Sequence, residues 1–126
     1  MSSPDRNPTS DTWTSATVID EAVLEAARAE FGAALFEQLL DTLFEETDEL
    51  LSALDDAANR ADAEDSVRLF HAIRGGVSNF GMIGVATLVA RLEIAARSGR
   101  SPDSAEVARI RSVWENARSA VVSRLA

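Results

Sequence analysis

The sequence contains no cysteine, so neither disulfide bonds nor thiolate–zinc sites can stabilise the fold or take part in chemistry. Histidine occurs only once, as His71, and a single imidazole with scattered carboxylates does not make a closed metal site. No stretch approaches the roughly 18 uninterrupted apolar residues of a membrane span, and the first residues lack the basic and apolar segments of a secretion signal. We therefore expect a cytoplasmic protein that uses no metal or cofactor and does not associate with a membrane.

The chain of 126 residues is long enough for one domain with a single core, but too short for that core plus a nucleotide-binding catalytic domain. Nucleotide chemistry would therefore take place on another protein, and this chain is not expected to be an autonomous enzyme. The net charge of −9 argues against binding to nucleic acid, whose phosphates attract basic surfaces. The acidic residues are concentrated in residues 16–65, however, whereas residues 66–126 are rich in arginine, which favours an anion such as phosphate near His71.

The hydrophobic pattern is helical from Thr17 onward, with turn residues only between the expected helices. Residues 1–16 are rich in serine, threonine, aspartate and proline, and they predict a disordered leader to which we assign no function. Residues 17–126 predict one all-α domain, an antiparallel up-down four-helix bundle with a short additional helix at its amino-terminal side. Nothing in the sequence requires a dimer, so we expect a monomer.

The first two helices are predicted from their apolar spacing and from a glycine between them. A short helix over about residues 19–30 ends near Gly32, because glycine after the last periodic residue is a common helix end. A long helix follows over about residues 32–60, and its apolar residues recur every four or seven positions. The residues expected to face the core from this helix are Leu35, Leu39, Leu43, Leu50, Leu54 and Ala58.

Capping residues predict where the last three helices begin. The third helix starts after Asp62 and continues to Gly81, and the fourth covers about residues 82–97. The fifth begins at Ser101, a cap residue, with Pro102 in the first helical position. The core-facing residues expected from the fourth helix are Val85, Leu88, Leu92 and Ala95, and those from the fifth are Val107, Ile110, Trp114, Ala117, Val121 and Leu125.

A helical wheel of the third helix, drawn at about 100° per residue, separates a core stripe from a polar face. The core stripe consists of Leu69, Phe70, Ile73, Val77 and Phe80. His71 lies on the other side of the helix and is predicted to face solvent. The residues that share its face are Arg68, Arg74, Gly75 and Ser78.

This polar face has what a carrier of a phosphoryl group needs. A neutral imidazole offers a nucleophilic nitrogen at physiological pH without a separate base, and Arg74, one turn on, can bind phosphoryl oxygens through its fork of donors. Two glycines within a helix cost roughly 2 kcal/mol relative to alanine, so they need an explanation. Gly75, on the solvent face, would let a partner approach His71, whereas Gly76 would let a neighbouring helix pack closely.

Simpler interpretations of the same residues remain open at this point. A lone histidine on a helix is most often a surface residue, and Arg74 alone is as well explained by solvation as by phosphate binding. No arrangement that resembles a catalytic triad or a paired-carboxylate cleft is present. The acidic face of the second helix is typical of a solubilising surface, and Trp114 is expected in the core.

The segment FHAIRGGVSNFGMIGVATLVARLE resembles the histidine-phosphotransfer (HPt) domain family. The family pattern has histidine, then Lys-Gly three and four positions later, glycine ten positions after the histidine, and a later Leu-Glu pair. The matching residues here are His71, Arg74, Gly75, Gly81 and Leu92-Glu93. Arginine replaces the usual lysine at position 74, which keeps the charge but not the shape of an ammonium group. Ser78 stands where relatives often have a smaller residue.

The resemblance implies a four-helix bundle in which His71 is phosphorylated on Nε2 and exchanges the group with an aspartate of a receiver domain. The receiver domain would supply the aspartate and Mg²⁺, while this chain supplies the nucleophile and a docking surface centred on Arg68, Arg74, Gly75 and Ser78. The residue after the histidine is Ala72, which disfavours the dimerisation domains of sensor kinases, where an acidic residue and a nearby proline are usual. Two binding functions remain as alternatives: an adaptor or decoy of the same fold that carries no phosphate, and a helical adaptor that uses the acidic second helix.

Overall fold

The computed structural model describes residues 18–125 of the protein, and five helices lie within this range. They are α1 (Glu21–Phe31), α2 (Ala33–Asn59), α3 (Ala63–Ser78), α4 (Ile83–Arg97) and α5 (Ser104–Leu125). No strand is formed between residues 18 and 125, which confirms the all-α prediction for that part of the chain. The predicted leader at residues 1–16 lies outside the described residues.

The helices α2 to α5 form a closed ring of contacts around the core. α2 contacts α3, α3 contacts α4, α4 contacts α5, and α5 returns to contact α2, while α1 packs against α2. None of the helices in the described part of the chain combines the length and the apolar character needed to cross a bilayer. The largest fully buried side chains include those of Trp114, Phe36 and Phe70, so the prediction of Trp114 as a core residue is confirmed.

The buried face of α2 contains Leu43 and Leu54 as predicted, but elsewhere it differs from the prediction by one residue. The buried residues are Phe36, Leu40, Leu43, Phe44, Thr47, Leu51, Leu54 and Ala57. Leu35 is instead 46% exposed, and Leu39, Leu50 and Ala58 are only partly buried. Apolar residues occur in adjacent pairs in this helix, such as Leu39-Leu40 and Leu50-Leu51, and either member of a pair fits a period of 3.6. The choice between them is made by packing against α1, α3 and α5.

The predicted amino-terminal cap of α3 is confirmed, and the predicted amino-terminal cap of α5 is wrong. Asp62 caps α3, because its Oδ1 accepts a hydrogen bond from the backbone N–H of Asp65 at 3.0 Å. In α5 the cap is Asp103 rather than Ser101. Its Oδ1 accepts from the N–H of Glu106 at 2.8 Å, and Glu106 Oε1 accepts from the N–H of Asp103 at 3.1 Å, which is a reciprocal capping box.

The inward face of α4 agrees with the prediction except at its end. Val85, Leu88 and Leu92 are buried as expected, whereas Ala96 is buried in place of Ala95, which is only partly covered. In α5, five of the predicted core residues are buried, and Leu125 packs against the core from a partly buried position. The fourth helix also buries a charged residue, Glu93.

The turn between α3 and α4 is fixed to the start of α1 by Gly81. The backbone N–H of Asp20 donates to the carbonyl oxygen of Gly81 at 2.6 Å. Gly81 has a φ of 73°, and a Cβ at this position would lie 2.5 Å from the carbonyl oxygen of Asp20. Any side chain here would meet both unfavourable backbone geometry and a steric clash. The glycine therefore allows α1 to close over the end of α3, where Phe36 and Phe80 pack with ring centroids 5.5 Å apart.

Candidate functional site

The two faces of α3 are separated as the helical wheel predicts. Leu69, Phe70, Ile73, Val77 and Phe80 are buried. The side chain of His71 is 69% exposed on the opposite side. No hydrogen bond to its Nε2 is formed by residues 18–125. This ring nitrogen is therefore accessible to a partner molecule.

Arg74 is placed beside His71, one turn further along α3. Its Nη2 lies 3.4 Å from His71 Nδ1. Its Nε donates to Glu93 Oε1 on α4 at 3.0 Å. The contact with Glu93 limits the motion of the guanidinium group, so its donors stay close to the imidazole.

Glu93, which the sequence marks only as part of the Leu-Glu pair of the family pattern, is the acidic residue of the site. Its side chain is 4% exposed, and its Oε2 accepts a hydrogen bond from Arg97 Nη2 at 2.7 Å. The same oxygen lies 3.7 Å from His71 Nδ1. The signal for Glu93 was present in the sequence, since it follows Leu92 on the apolar face of α4, where an acidic residue is unexpected.

The carboxyl group of Glu93 stays ionised because of the two arginines. Burial by itself raises the pKa of this group, but hydrogen bonds and charge interactions with Arg97 and Arg74 outweigh burial and leave the pKa below its ordinary value. A buried carboxylate therefore persists next to the exposed imidazole. The four residues His71, Arg74, Glu93 and Arg97 are called the imidazole cluster below.

The position of the proton on His71 decides what the imidazole can do. If Nδ1 accepts a hydrogen bond from Arg74, the proton of the neutral ring is on Nε2, and Nε2 is not a nucleophile. If Nδ1 carries the proton and faces the carboxylate of Glu93, the lone pair of Nε2 is free. The imidazole cluster places a donor and an acceptor near the same nitrogen.

Arg68 and Ser78, the other predicted docking residues with side chains on this face, form no side-chain hydrogen bond or ion pair with His71 in the described structure. Arg68 makes two hydrogen bonds to Asp65 Oδ1, at 3.0 and 2.7 Å, and so is directed toward the start of α3. Ser78, the last residue of α3, is exposed. Their predicted part in docking stays a prediction.

The two adjacent glycines of α3 have different surroundings. A Cβ on Gly75 would meet nothing within 4 Å, so no packing within residues 18–125 requires a glycine there. A Cβ on Gly76 would lie 2.9 Å from Leu43 Cδ1 on α2. The close approach predicted for Gly76 is confirmed, and the absence of a side chain at Gly75 is left without a packing reason in the described structure.

An apolar groove of about 500 Å³ adjoins the glycine side of α3. It lies between α1, α2 and α3, and its lining includes Val23, Phe31, Leu39, Gly76 and Asn79. Val23 and Phe31 are each more than one-third exposed. No group of three or more histidine, cysteine or acidic side chains in residues 18–125 is arranged to hold a metal ion.

Comparisons with known proteins identify a family and a similar fold. The sequence profile described as the Hpt domain matches residues 38–123. The fold is similar to the crystal structure of histidine-containing phosphotransfer protein B (HptB) from Pseudomonas aeruginosa PAO1, with a TM-score of 0.78 and 28% sequence identity. The match covers 87% of this chain and 96% of the Pseudomonas chain. No curated protein sequence matches the chain.

Proposed function

The chain belongs to the Hpt domain family, the histidine-phosphotransfer proteins of phosphorelays, and from this premise we propose that His71 is the residue that carries the phosphoryl group. The observation that supports this most directly is the geometry of the imidazole cluster. The imidazole is exposed and its Nε2 has no hydrogen-bond partner among residues 18–125, while its Nδ1 lies 3.4 Å from Arg74 Nη2 and 3.7 Å from Glu93 Oε2. It is the only histidine of the chain.

The proposed reaction exchanges a phosphoryl group with an aspartate of a receiver domain. The lone pair of His71 Nε2 attacks phosphorus, an N–P bond forms, and the P–O bond to the aspartate breaks to release its carboxylate. The proton stays on Nδ1, where the negative charge of Glu93 offsets the positive charge that develops on the ring. The reverse transfer restores the neutral imidazole. The receiver domain supplies the aspartate and Mg²⁺, so this chain acts as a carrier without autonomous catalytic activity.

Arg74 is the proposed ligand of the phosphoryl oxygens. When Nδ1 is protonated it no longer accepts from Arg74 Nη2, and this donor becomes free to turn toward Nε2 and the phosphoryl group. The contact of Arg74 Nε with Glu93 keeps the guanidinium group within reach during this change. A lysine would provide one charged nitrogen, whereas the arginine can bridge the carboxylate and the phosphoryl group at once.

The proposed docking surface surrounds His71 on α3 and continues into the apolar groove. Gly75 adds no side chain beside the imidazole, and Arg68 and Ser78 complete the exposed polar face. The groove beyond Gly76 offers apolar side chains to the receiver domain. Apolar area would supply affinity, and the arginines would affect encounter rate and partner choice.

We also propose the finer arrangement of the domain. Residues 17–126 form the phosphotransfer unit, and α2 to α5 run alternately up and down around the core. The ring of contacts between successive helices and the short connections between them support this arrangement. A monomer is sufficient, because all four residues of the imidazole cluster come from one chain.

The test is incubation of the protein with a phosphorylated receiver domain, followed by detection of acid-labile, alkali-stable label on this chain. Wild type should become labelled and His71→Gln should not. Failure of the wild type to accept label from any receiver domain of its source organism would refute the carrier function. If the protein binds a receiver domain but takes no label, the alternative of an adaptor or decoy becomes the better explanation.

A further inference from the structure

Arg97 and His71 are neighbours of the same oxygen atom. Glu93 Oε2 is 2.7 Å from Arg97 Nη2 and 3.7 Å from His71 Nδ1. A Glu–Arg pair four residues apart is common on helices and by itself indicates no function. The pair of Glu93 and Arg97 is different, because Glu93 Oε2 is also the carboxylate oxygen near the imidazole of His71, the proposed phosphate carrier.

The distances show which neighbour holds the oxygen in this structure. The contact with Arg97 is a short hydrogen bond, whereas 3.7 Å is beyond hydrogen-bond reach for His71. His71 Nδ1 instead has Arg74 Nη2 at 3.4 Å, a donor. Of the two neutral tautomers of His71, this arrangement favours the one with its proton on Nε2, called the resting tautomer below, in which Nδ1 can accept from Arg74 and Nε2 has no lone pair to attack phosphorus.

We propose that Arg97 is a positioning residue that holds Glu93 Oε2 away from His71 Nδ1 and thereby favours the resting tautomer of His71. Loss of the Arg97 contact lets the carboxylate turn toward Nδ1, which then takes the proton and leaves the lone pair of Nε2 free. The meaning of this switch for phosphotransfer rests on the proposed function of His71. The competition between Arg97 and His71 for Glu93 Oε2 is a property of the unphosphorylated protein and can be measured without phosphotransfer.

Because Arg97 is exposed, a partner can change the ratio of the two tautomers of His71. Its side chain is 59% exposed, although the carboxylate that it binds is buried. An acidic group on a docking partner that pairs with Arg97 would release Glu93 Oε2 at the moment of encounter. Docking would then produce the nucleophilic tautomer, and the protein alone would remain largely in the resting one.

Other charged groups do not account for this effect. The imidazole is faced by Arg74 from α3 and by Glu93 and its partner Arg97 from α4. Within residues 18–125, no charged side chain of α2 forms a hydrogen bond or ion pair with His71. Arg100, just beyond α4, is paired with Glu106 instead.

The experiment measures the tautomer of His71 by ¹⁵N NMR of the protein with labelled histidine and no affinity tag. Because the chain has one histidine, the spectrum contains a single pair of ring nitrogens. The test variant is Arg97→Met, which removes the donor while keeping an unbranched side chain. The control is Arg91→Met, which removes the same charge from the exposed surface of α4 without a contact to Glu93.

Arg97→Met should shift the neutral ring toward the tautomer protonated on Nδ1, and Arg97→Lys, which can still pair with Glu93, should restore the wild-type spectrum. Arg91→Met should leave the tautomer ratio unchanged. An unchanged ratio in Arg97→Met would overturn the proposal, and so would an equal shift in the Arg91 control, because the cause would then be net charge. These spectra need no phosphate, so a failure of phosphotransfer in the wild type would be seen separately.

Discussion

Replacing Gly75 with alanine should stabilise the protein and impair its function, and the structure indicates the size of both effects. Gly75 lies inside α3, four residues after His71 and therefore next to it on the helix surface. A Cβ at this position would contact nothing within 4 Å. The substitution therefore removes the conformational cost of a glycine without adding a clash.

The gain in stability follows from helix propensity. Alanine is favoured over glycine in a helix interior by about 1 kcal/mol, which for a domain of this size raises the melting temperature by about 4 °C. The loss in function follows from access. A methyl group beside the imidazole would displace a docked receiver domain, and a displacement of under about 1 Å is enough to slow transfer tenfold or more.

The assay combines thermal unfolding by circular dichroism with the rate of label transfer from a phosphorylated receiver domain. Gly76→Ala is the matched control, since it changes the next residue in the same way but brings its Cβ to 2.9 Å from Leu43 Cδ1. In that variant the displacement of Leu43 should cancel much of the gain from helix propensity. The two adjacent glycines should thus respond differently in stability.

Wild-type transfer rates in a stabilised Gly75→Ala protein would refute the access argument. Gly75 would then have no function in docking, and the open space around it would not indicate a docking site. A destabilised Gly75→Ala would instead refute the structural premise that this face of α3 is free. A larger residue, as in Gly75→Gln, should slow transfer further if access is the reason.

Four other substitutions test separate parts of the structure. His71→Gln should abolish labelling but leave the helical circular dichroism spectrum and the melting temperature nearly unchanged, because the side chain is largely exposed; a large loss of stability would mean that the histidine is structural. Arg74→Ala should slow transfer or shorten the lifetime of the phosphohistidine, and it should cost about 1 kcal/mol in unfolding free energy through the lost bond to Glu93; unchanged kinetics would make Arg74 a surface residue. Glu93→Gln should lower the free energy of unfolding at neutral pH. The difference from wild type should shrink as pH falls below 4.5 and through the lowered pKa of Glu93, because a depressed carboxyl pKa stabilises the fold only while the group is ionised. Urea unfolding at several pH values measures this difference, and a difference independent of pH would contradict the prediction. Asp62→Ala should cost about 1 kcal/mol through loss of the cap on α3, with no effect on the transfer rate at a temperature where both proteins are folded.

The faces of α3 were predictable from the sequence, and that of α2 was not, for a simple physical reason. In α3 only Leu69 and Phe70 form an adjacent pair of large apolar residues, and both fit the same stripe as Ile73 and Val77, so a single stripe fits the helical period. In α2 the apolar residues come in adjacent pairs, and two stripes about 100° apart fit equally well. Three neighbouring helices decide which one is buried, and their positions are a property of the whole fold.

The candidate site shows the same division between local and long-range information. His71 and Arg74 lie one turn apart on one helix, so their proximity follows from helix geometry alone. Arg68 has the same spacing on the other side of His71, but its guanidinium group binds Asp65 instead. Glu93 reaches the site from α4, and no pattern within one helix predicts that contact.

The chemistry proposed for His71 gives a reason for the burial of Glu93. A carboxylate in the core loses hydration, and an apolar residue of similar size often stabilises a fold at least as well as a buried ion pair. The two arginines keep the carboxylate ionised, and together the three residues leave one positive charge beside the imidazole of His71. That charge favours a phosphoryl group at Nε2, while the carboxylate favours a proton at Nδ1. A core selected for stability alone has no need of either effect, but a carrier of phosphate needs both.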